Sequence, residues 1–433
     1  MLISQPNRLR FHMPGHKGRA LPYPLPWEAD TTELPTTDNL YDPTGPLAHA
    51  QSEMARVAHA GHTLFLTGGS TAGLLAMILY AVPPGGTLLM GRNAHHAALS
   101  ACILGDINPV YVWPDVTADG FSYIPSERWE AEIDADAILI TAPDYYGTAP
   151  HFTKRNKRLL VDQAHGSHWN WWDTPPDAGR QGASLWVQSA HKTLPAPTSA
   201  AWLHVAEGED VDRLRACLRL VQTSSPSFWL MSALDQLRIW MEENTALQDL
   251  LQWIPTEWPA DIHPAHDAWR SLPLQFDPTR IVLDVTARGF SGFEAAQLLA
   301  EQGIDVEMAD FRRIVCIATI ADRPEDFERL WNELAALPYR KTNVFPCLTL
   351  TSPPEVILSP RNAALGPQVR VPLHQATGRI AATVLGVYPP GTPWVVPGEL
   401  ITAEHIEMLL TTHEAGAAYL GVDAHGLCSI STC

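Results

Sequence analysis

The chain has 433 residues, a formal net charge of −18, 46% hydrophobic residues and 18% charged residues. That length holds two or three domains with substantial cores, and the composition is that of a globular chain rather than a disordered one. The acidic balance argues against nonspecific binding to nucleic acid or anionic membrane, and the longest apolar runs, such as Leu74 to Val82, are too short to span a bilayer.

The first ~50 residues show no clear periodicity and read as an extended arm. The opening stretch has no apolar run of signal-peptide length, so the expected location is the cytoplasm. Proline clusters at 21–28 and 387–397 suggest ordered loops and arms. From residue 61, strand and helix patterns alternate. Short apolar runs at Thr63–Leu66, Leu88–Met90, Pro109–Val112, Ala137–Thr141, Leu159–Val161, Leu185–Val187 and Ala201–Val205 look like buried parallel strands. Helix-like stretches follow Thr71 and cover Ala94–Leu104. A second region starts near residue 280, with strands expected at Ile281–Val285, Val306–Met308 and Ile314–Ala318. Ser291 and Glu294 have capping-box spacing, and a helix opens at Asp322-Arg323-Pro324. The predicted architecture is α/β: a major domain with a mostly parallel sheet, then smaller α+β C-terminal units. The expected divisions are an arm at 1–50, the major domain at 51–245, a small domain at 246–340 and a C-terminal segment at 341–433.

The six cysteines (Cys102, Cys217, Cys316, Cys347, Cys428, Cys433) are scattered without a CxxC pair, which fits reduced thiols better than disulfides or zinc. Three segments carry chemistry, each at the expected C-terminal end of a strand, the edge where open α/β sheets bind ligands. Gly68 to Thr71 lies between a strand and a helix. Glycines let the backbone approach a phosphate, the helix N-terminus offers free N–H groups, and Ser70 and Thr71 add hydroxyls; alone, such turns are common. Asp162, in VDQAHGSHW, follows a buried strand, where a carboxylate is costly without a partner such as a protonated ring nitrogen. A lone aspartate there is more often a cap. His165 and His168 lack the further ligands a metal site needs, and no metal is expected. Lys192, flanked by Ser189 and His191, sits where a Schiff-base lysine is used, although a loop lysine is usually just solvated. The phosphate cradle, ring-nitrogen partner and amine together make a pyridoxal-phosphate (PLP) reading coherent.

On these residues the chain resembles the ornithine/lysine/arginine decarboxylases of the aminotransferase-like (fold type I) PLP enzymes. Matching segments include FHMPGHKGR (11–19), FLTGGSTAGLLAMI (65–78), YYG (145–147), LLVDQAHGSHW (159–169), QSAHKTL (188–194) and LRLVQTSSPSFWLMSALD (218–235). The resemblance is to the shorter members without an amino-terminal wing domain. It implies that Lys192 carries the cofactor as a Schiff base and that Asp162 pairs the pyridine nitrogen. It implies that His95 stacks on the ring, and that Ser70, Thr71 and Ser189 hold the phosphate. His165 would line the site near the ring, and His191 would assist proton transfer. The segment Thr223–Ser227, with Ser224, would reach a partner subunit's site, so a homodimer or larger assembly is implied. Glu399 is a candidate for meeting the distal cation of a small amino-acid substrate, although an equal case makes it structural.

The implied reaction is α-decarboxylation of arginine, lysine or ornithine. Two alternatives remain open at this level. One is another reaction on the same fold, such as transamination, with Arg312, Arg313 or Arg379 holding a substrate carboxylate. The other is a weakened homologue. The chain also departs from the family pattern: Gln163 replaces a glutamate, His96 a lysine and Gly68 an asparagine. The stretch APHFTKRNKR (149–158) is too short for the family's helix, so it is expected to expose a sheet face or call on a partner to cover it.

Overall fold

The computed structural model describes residues 9–12, 17, 19, 31–34, 36–130, 134–341, 345–346, 348, 353–388 and 393–433. The proline stretch at 21–28, Cys347 and parts of 11–19 and 387–397 lie outside the described residues. The seven apolar runs read from the sequence form a single sheet. Its strands are β1 (His62–Leu66), β2 (Thr87–Gly91), β3 (Asn108–Val112), β4 (Ala137–Thr141), β5 (Arg158–Asp162), β6 (Leu185–Gln188) and β7 (Ala201–Val205). The spatial order is β1-β7-β6-β5-β4-β2-β3. All neighbours are parallel except β7, which runs antiparallel to both β6 and β1. The strands read as unbroken apolar runs because both faces are covered.

One face is covered by α2 (Gly69–Ala81) and α3 (His96–Gly105). Helix α2 is apolar almost all round because it is packed between the sheet, α3 and the helix Val211–Arg219. Its close approach to the sheet requires Gly73, where a Cβ would stand 2.6 Å from Leu66 Cδ1. The other face is covered by α1 (Pro46–Val57), by the helix Phe228–Glu242 and by a layer of buried tryptophans, Trp169, Trp186 and Trp202. Each such fully buried large side chain contributes roughly 1.5–3 kcal/mol of apolar burial.

The β4–β5 crossover carries no helix, as its length predicted, yet it exposes no sheet face. Residues Thr148–Pro150 pair antiparallel with Leu274–Phe276, Phe152 turns into the core, and Leu159 and Val161 are fully buried. The cover that was expected from a partner therefore comes from this chain's own second domain and tryptophan layer.

The second unit is an antiparallel sheet of β8 (His263–Pro264), β9 (Arg280–Asp284), β10 (Met308–Ala309) and β11 (Arg313–Ile317), ordered β8-β9-β11-β10. It is backed by α5 (Gly292–Glu301), whose start has the predicted capping box of Ser291 and Glu294, and by α6 (Pro324–Ala336). The strand Leu9–Phe11 reaches across to pair in parallel with Ile304–Val306. A third unit, with its own core of Leu385, Val395, Ile401, Leu409 and Ile430, includes α7 (Ala403–Glu414) and docks on the major sheet's edge. Arg361 there donates to the carbonyls of Ile103 and Leu104 at the end of α3. Among the described residues no helix is long and apolar enough to cross a membrane.

Candidate active site

The C-terminal ends of the parallel strands open into a cavity of about 570 Å³, closed by the second and third units. Its size suits a cofactor with a small substrate. Asp162 is the last residue of β5 and pairs in register with Thr141, the last residue of β4. Strand β6 ends at Gln188, and the next residues form α4 (Ala190–Thr193), a single turn that carries His191 and Lys192. The sheet register thus brings three predicted residues together from positions 162 to 192.

Gly68, Gly69, Ser70 and Thr71 form the N-terminal end of α2 on the cavity wall. No side chain caps this end. Gly69 has φ +74°, and a Cβ there would meet nothing within 4 Å, so the backbone borders open space. Ser189 Oγ donates to Ser70 Oγ at 2.7 Å, which joins the hydroxyls of two elements in one patch. Uncapped first-turn amides with adjacent hydroxyls form an anion cradle.

Lys192 Nζ lies 3.1 Å from His165 Nε2. Burial pulls the lysine below its ordinary 10.5 against the opposing pull of Asp162 and Glu307. Asp162 accepts from the Ala164 amide at 3.1 Å, and no cation among the described residues pairs with it within 4 Å. Burial raises its pKa above 3.8, and Lys192 draws it back. A buried carboxylate in this state is chemically suited to a cationic ring N–H. His95 caps α3 by accepting from the Ala97 amide at 3.2 Å. Burial, with smaller contributions from His96 and Lys192, pushes it down to about 3, so it is a neutral ring on the cavity wall. His191 Nδ1 is 3.3 Å from the Ala200 carbonyl, which only accepts, so Nδ1 carries a proton and Nε2 is the basic atom.

Other predicted residues are placed elsewhere. Ser224 is exposed and does not border this chain's cavity. Glu399 is not among the residues lining this chain's cavity. Both its oxygens are held by the Arg92 guanidinium, at 2.8 and 2.7 Å, and it also accepts from the Val396 amide. The pair is buried because it joins the third unit to the end of β2, and no carboxylate oxygen is left over for a distal cation. Arg313 is tied to Asp119 and Asp310, Arg312 pairs with Asp284, and Arg379 is exposed. His168 faces Asp277 at 3.1 Å while His165 faces Lys192, so the two histidines do not converge. Gln163 points away from the cavity into a buried amide network. Its Oε1 accepts from Gln188 Nε2 at 2.8 Å, and that amide also contacts Asn170.

The structure adds residues that the motif reading left without a role. Tyr145 packs on His165, with ring centroids 4.6 Å apart, and Asp144 lies in the cavity wall, pushed up to about 6 by burial. Both lie in the loop that leaves the C-terminal end of β4, a position that marks the ligand edge of such a sheet. Arg280, behind His165, had no local signal, since its partner is 115 residues away.

Comparison with known proteins accords with this geometry. Residues 3–257 match the Orn/Lys/Arg decarboxylase major domain, and residues 350–429 match the C-terminal domain of the same family. The chain is 31% identical to the uncharacterized protein YaaO of Bacillus subtilis, over 95% of this chain and 93% of that one. It is 29% identical to an arginine decarboxylase of Bacillus anthracis, over 96% and 92%. Among solved structures, the constitutive lysine decarboxylase of Escherichia coli superposes with a TM-score of 0.74 at 19% identity, covering 93% of this chain and 75% of that one. The fold is therefore the aminotransferase-like fold type I, and the chain belongs to the Orn/Lys/Arg decarboxylase family, a family of amino-acid carboxy-lyases.

Proposed function

We propose that this enzyme decarboxylates a basic amino acid (arginine, lysine or ornithine) to the corresponding amine, using PLP bound to Lys192. The observation that carries the reading is the cavity's triple arrangement: an uncapped helix N-terminus, a buried carboxylate with no cation within 4 Å among the described residues, and a desolvated, half-buried lysine amine, each at a strand end. The names of the relatives support a basic substrate. PLP, when bound, supplies an electron sink for the electrons left at Cα as CO2 departs.

The remaining chemistry belongs to the chain's own residues. The α2 amides with Ser70, Thr71 and Ser189 hold a phosphate. Asp162 keeps the ring nitrogen protonated. His95, uncharged, packs against the ring face, and His165 lies beside the lysine amine. His191, through Nε2, moves the proton that replaces CO2. Asp162 and His165 are buried in the cavity wall, where charges act more strongly than in open water. The assembly is a homodimer or larger, with Ser224 reaching the partner's cavity, and the location is the cytoplasm. Arg312 and Arg313 are already engaged by Asp284, Asp119 and Asp310, which weighs against transamination with either arginine holding a substrate carboxylate.

The test is a visible spectrum with PLP, followed by CO2 and product analysis on the three amino acids. A lysine-bound cofactor band, lost in Lys192→Ala, with CO2 from one substrate is expected. A band with no CO2 from any of them would refute the reaction, and no band at all would refute the cofactor.

A further inference from the structure

We propose that Arg280 is a positioning residue that fixes the tautomer of His165 and thereby holds Lys192 as a neutral amine, ready to attack a carbonyl. This rests on the reading of Lys192 as the cofactor-bearing amine.

Arg280 opens β9 and is only 2% exposed. Its Nη2 is 3.3 Å from His165 Nδ1. A guanidinium has donors only, so Nδ1 must accept. A neutral imidazole that accepts at Nδ1 carries its proton on Nε2. That atom lies 3.1 Å from Lys192 Nζ. An Nε2–H at this distance can donate only to a nitrogen lone pair, which an ammonium lacks. The arrangement is therefore self-consistent with an uncharged Lys192 and is disrupted by a charged one. His165 cannot escape by becoming an imidazolium, because burial, with the Arg280 charge beside it, holds it well below its ordinary 6.5.

Other charges face the same amine. Asp162 and Glu307 favour its protonated form, and Arg280 opposes it. His95 and His191 also lie near the His165 ring. Burial is the main counterweight to the two carboxylates, and the Arg280–His165 pair adds to it. No carboxylate pairs directly with Arg280 among the described residues. Asp144 and Asp277 feel the charge of its guanidinium through space. The fold builds this approach deliberately. Gly147, at φ +77°, lies so near Arg280 that a Cβ there would collide with the arginine's own Cβ. The glycine of the YYG segment thereby acquires a physical role: it admits Arg280.

The test uses cofactor-free protein with 15N-labelled histidine, and His165→Gln assigns the ring signals. The expected result is an unprotonated Nδ1 and a protonated Nε2 on His165. The opposite pattern overturns the proposal. A second measurement follows reductive methylation of Lys192 against pH by peptide mass spectrometry. Arg280→Met should leave about tenfold less neutral Lys192 at a given pH, a midpoint raised by about one unit. Arg280→Gln keeps a neutral donor for Nδ1 and should remain nearer the parent. Equal shifts in both variants would mean that charge alone acts, and would overturn the tautomer role. If Arg280→Met does not fold, the nitrogen signals of the parent protein decide. Because none of these readouts needs PLP, a missing cofactor band would sink the proposed function without touching this result.

Discussion

His204 is a buried, neutral histidine far from the chemistry, and its protonation should govern part of the acid stability. It lies in the middle of β7 and is fully buried. Its Nδ1 is 2.8 Å from Thr63 Oγ1, and its Nε2 is 2.9 Å from Gln188 Oε1. Burial pushes its pKa from 6.5 down to about 3. A histidine depressed in the folded state costs stability as pH falls through its unfolded value and continues to do so down to the folded one. At pH 5 nearly every unfolded His204 is protonated and almost no folded one is, a linkage cost of about 2 kcal/mol relative to pH 7.5. His204→Gln removes the titration while keeping a donor and an acceptor. Urea denaturation of both proteins, followed by tryptophan fluorescence at pH 7.5 and 5, reads the difference. The variant should gain about 2 kcal/mol on the parent as the pH falls. The depressed His95 is common to both proteins and cancels. Parallel pH profiles would refute the claim that His204 is held neutral by burial.

Other consequences can be checked on the same preparation. Glu399→Gln leaves the Arg92 charge buried between Tyr111 and Trp113 and should cost about 3 kcal/mol, whereas removing both partners should cost less than the sum; denaturation of the double-mutant cycle measures this, and additive losses would contradict a coupled pair. Asp162→Asn should lower turnover by about a hundredfold or more while PLP still binds, because only the ring-nitrogen charge is lost; kinetics with a visible spectrum separates the two effects. Gln163→Glu should leave turnover within about twofold. Its buried carboxylate has a raised pKa and no cation, so relative to the parent this variant should gain about 1–2 kcal/mol as pH falls from 7.5 to 5.

The local chemistry was legible in the sequence, and the convergence of distant residues was not. The seven apolar runs each became a strand of one sheet, because strands buried on both faces must be continuously apolar. The positions of Ser70, Asp162 and Lys192 at strand ends followed from those runs, and a parallel register then placed them at one edge. The Ser291 capping box was equally local. Departures from the family pattern were visible as letters, but their meaning was not. Gln163 looked like a change beside the candidate site's Asp162, yet it lies just past the end of β5 and its side chain joins the buried Gln188 and Asn170 network instead. For Glu399 a substrate role and a structural one were equally open from sequence, and the fold sets it against Arg92, 307 residues earlier. Gly147 was visible only as a letter of the YYG segment and Arg280 carried no local signal, because what matters about them is a contact across two domains. A sequence declares which residue types stand at the ends of its own elements; only the packed chain decides which acids are already neutralised, which face a side chain takes and which nitrogen of a histidine must accept.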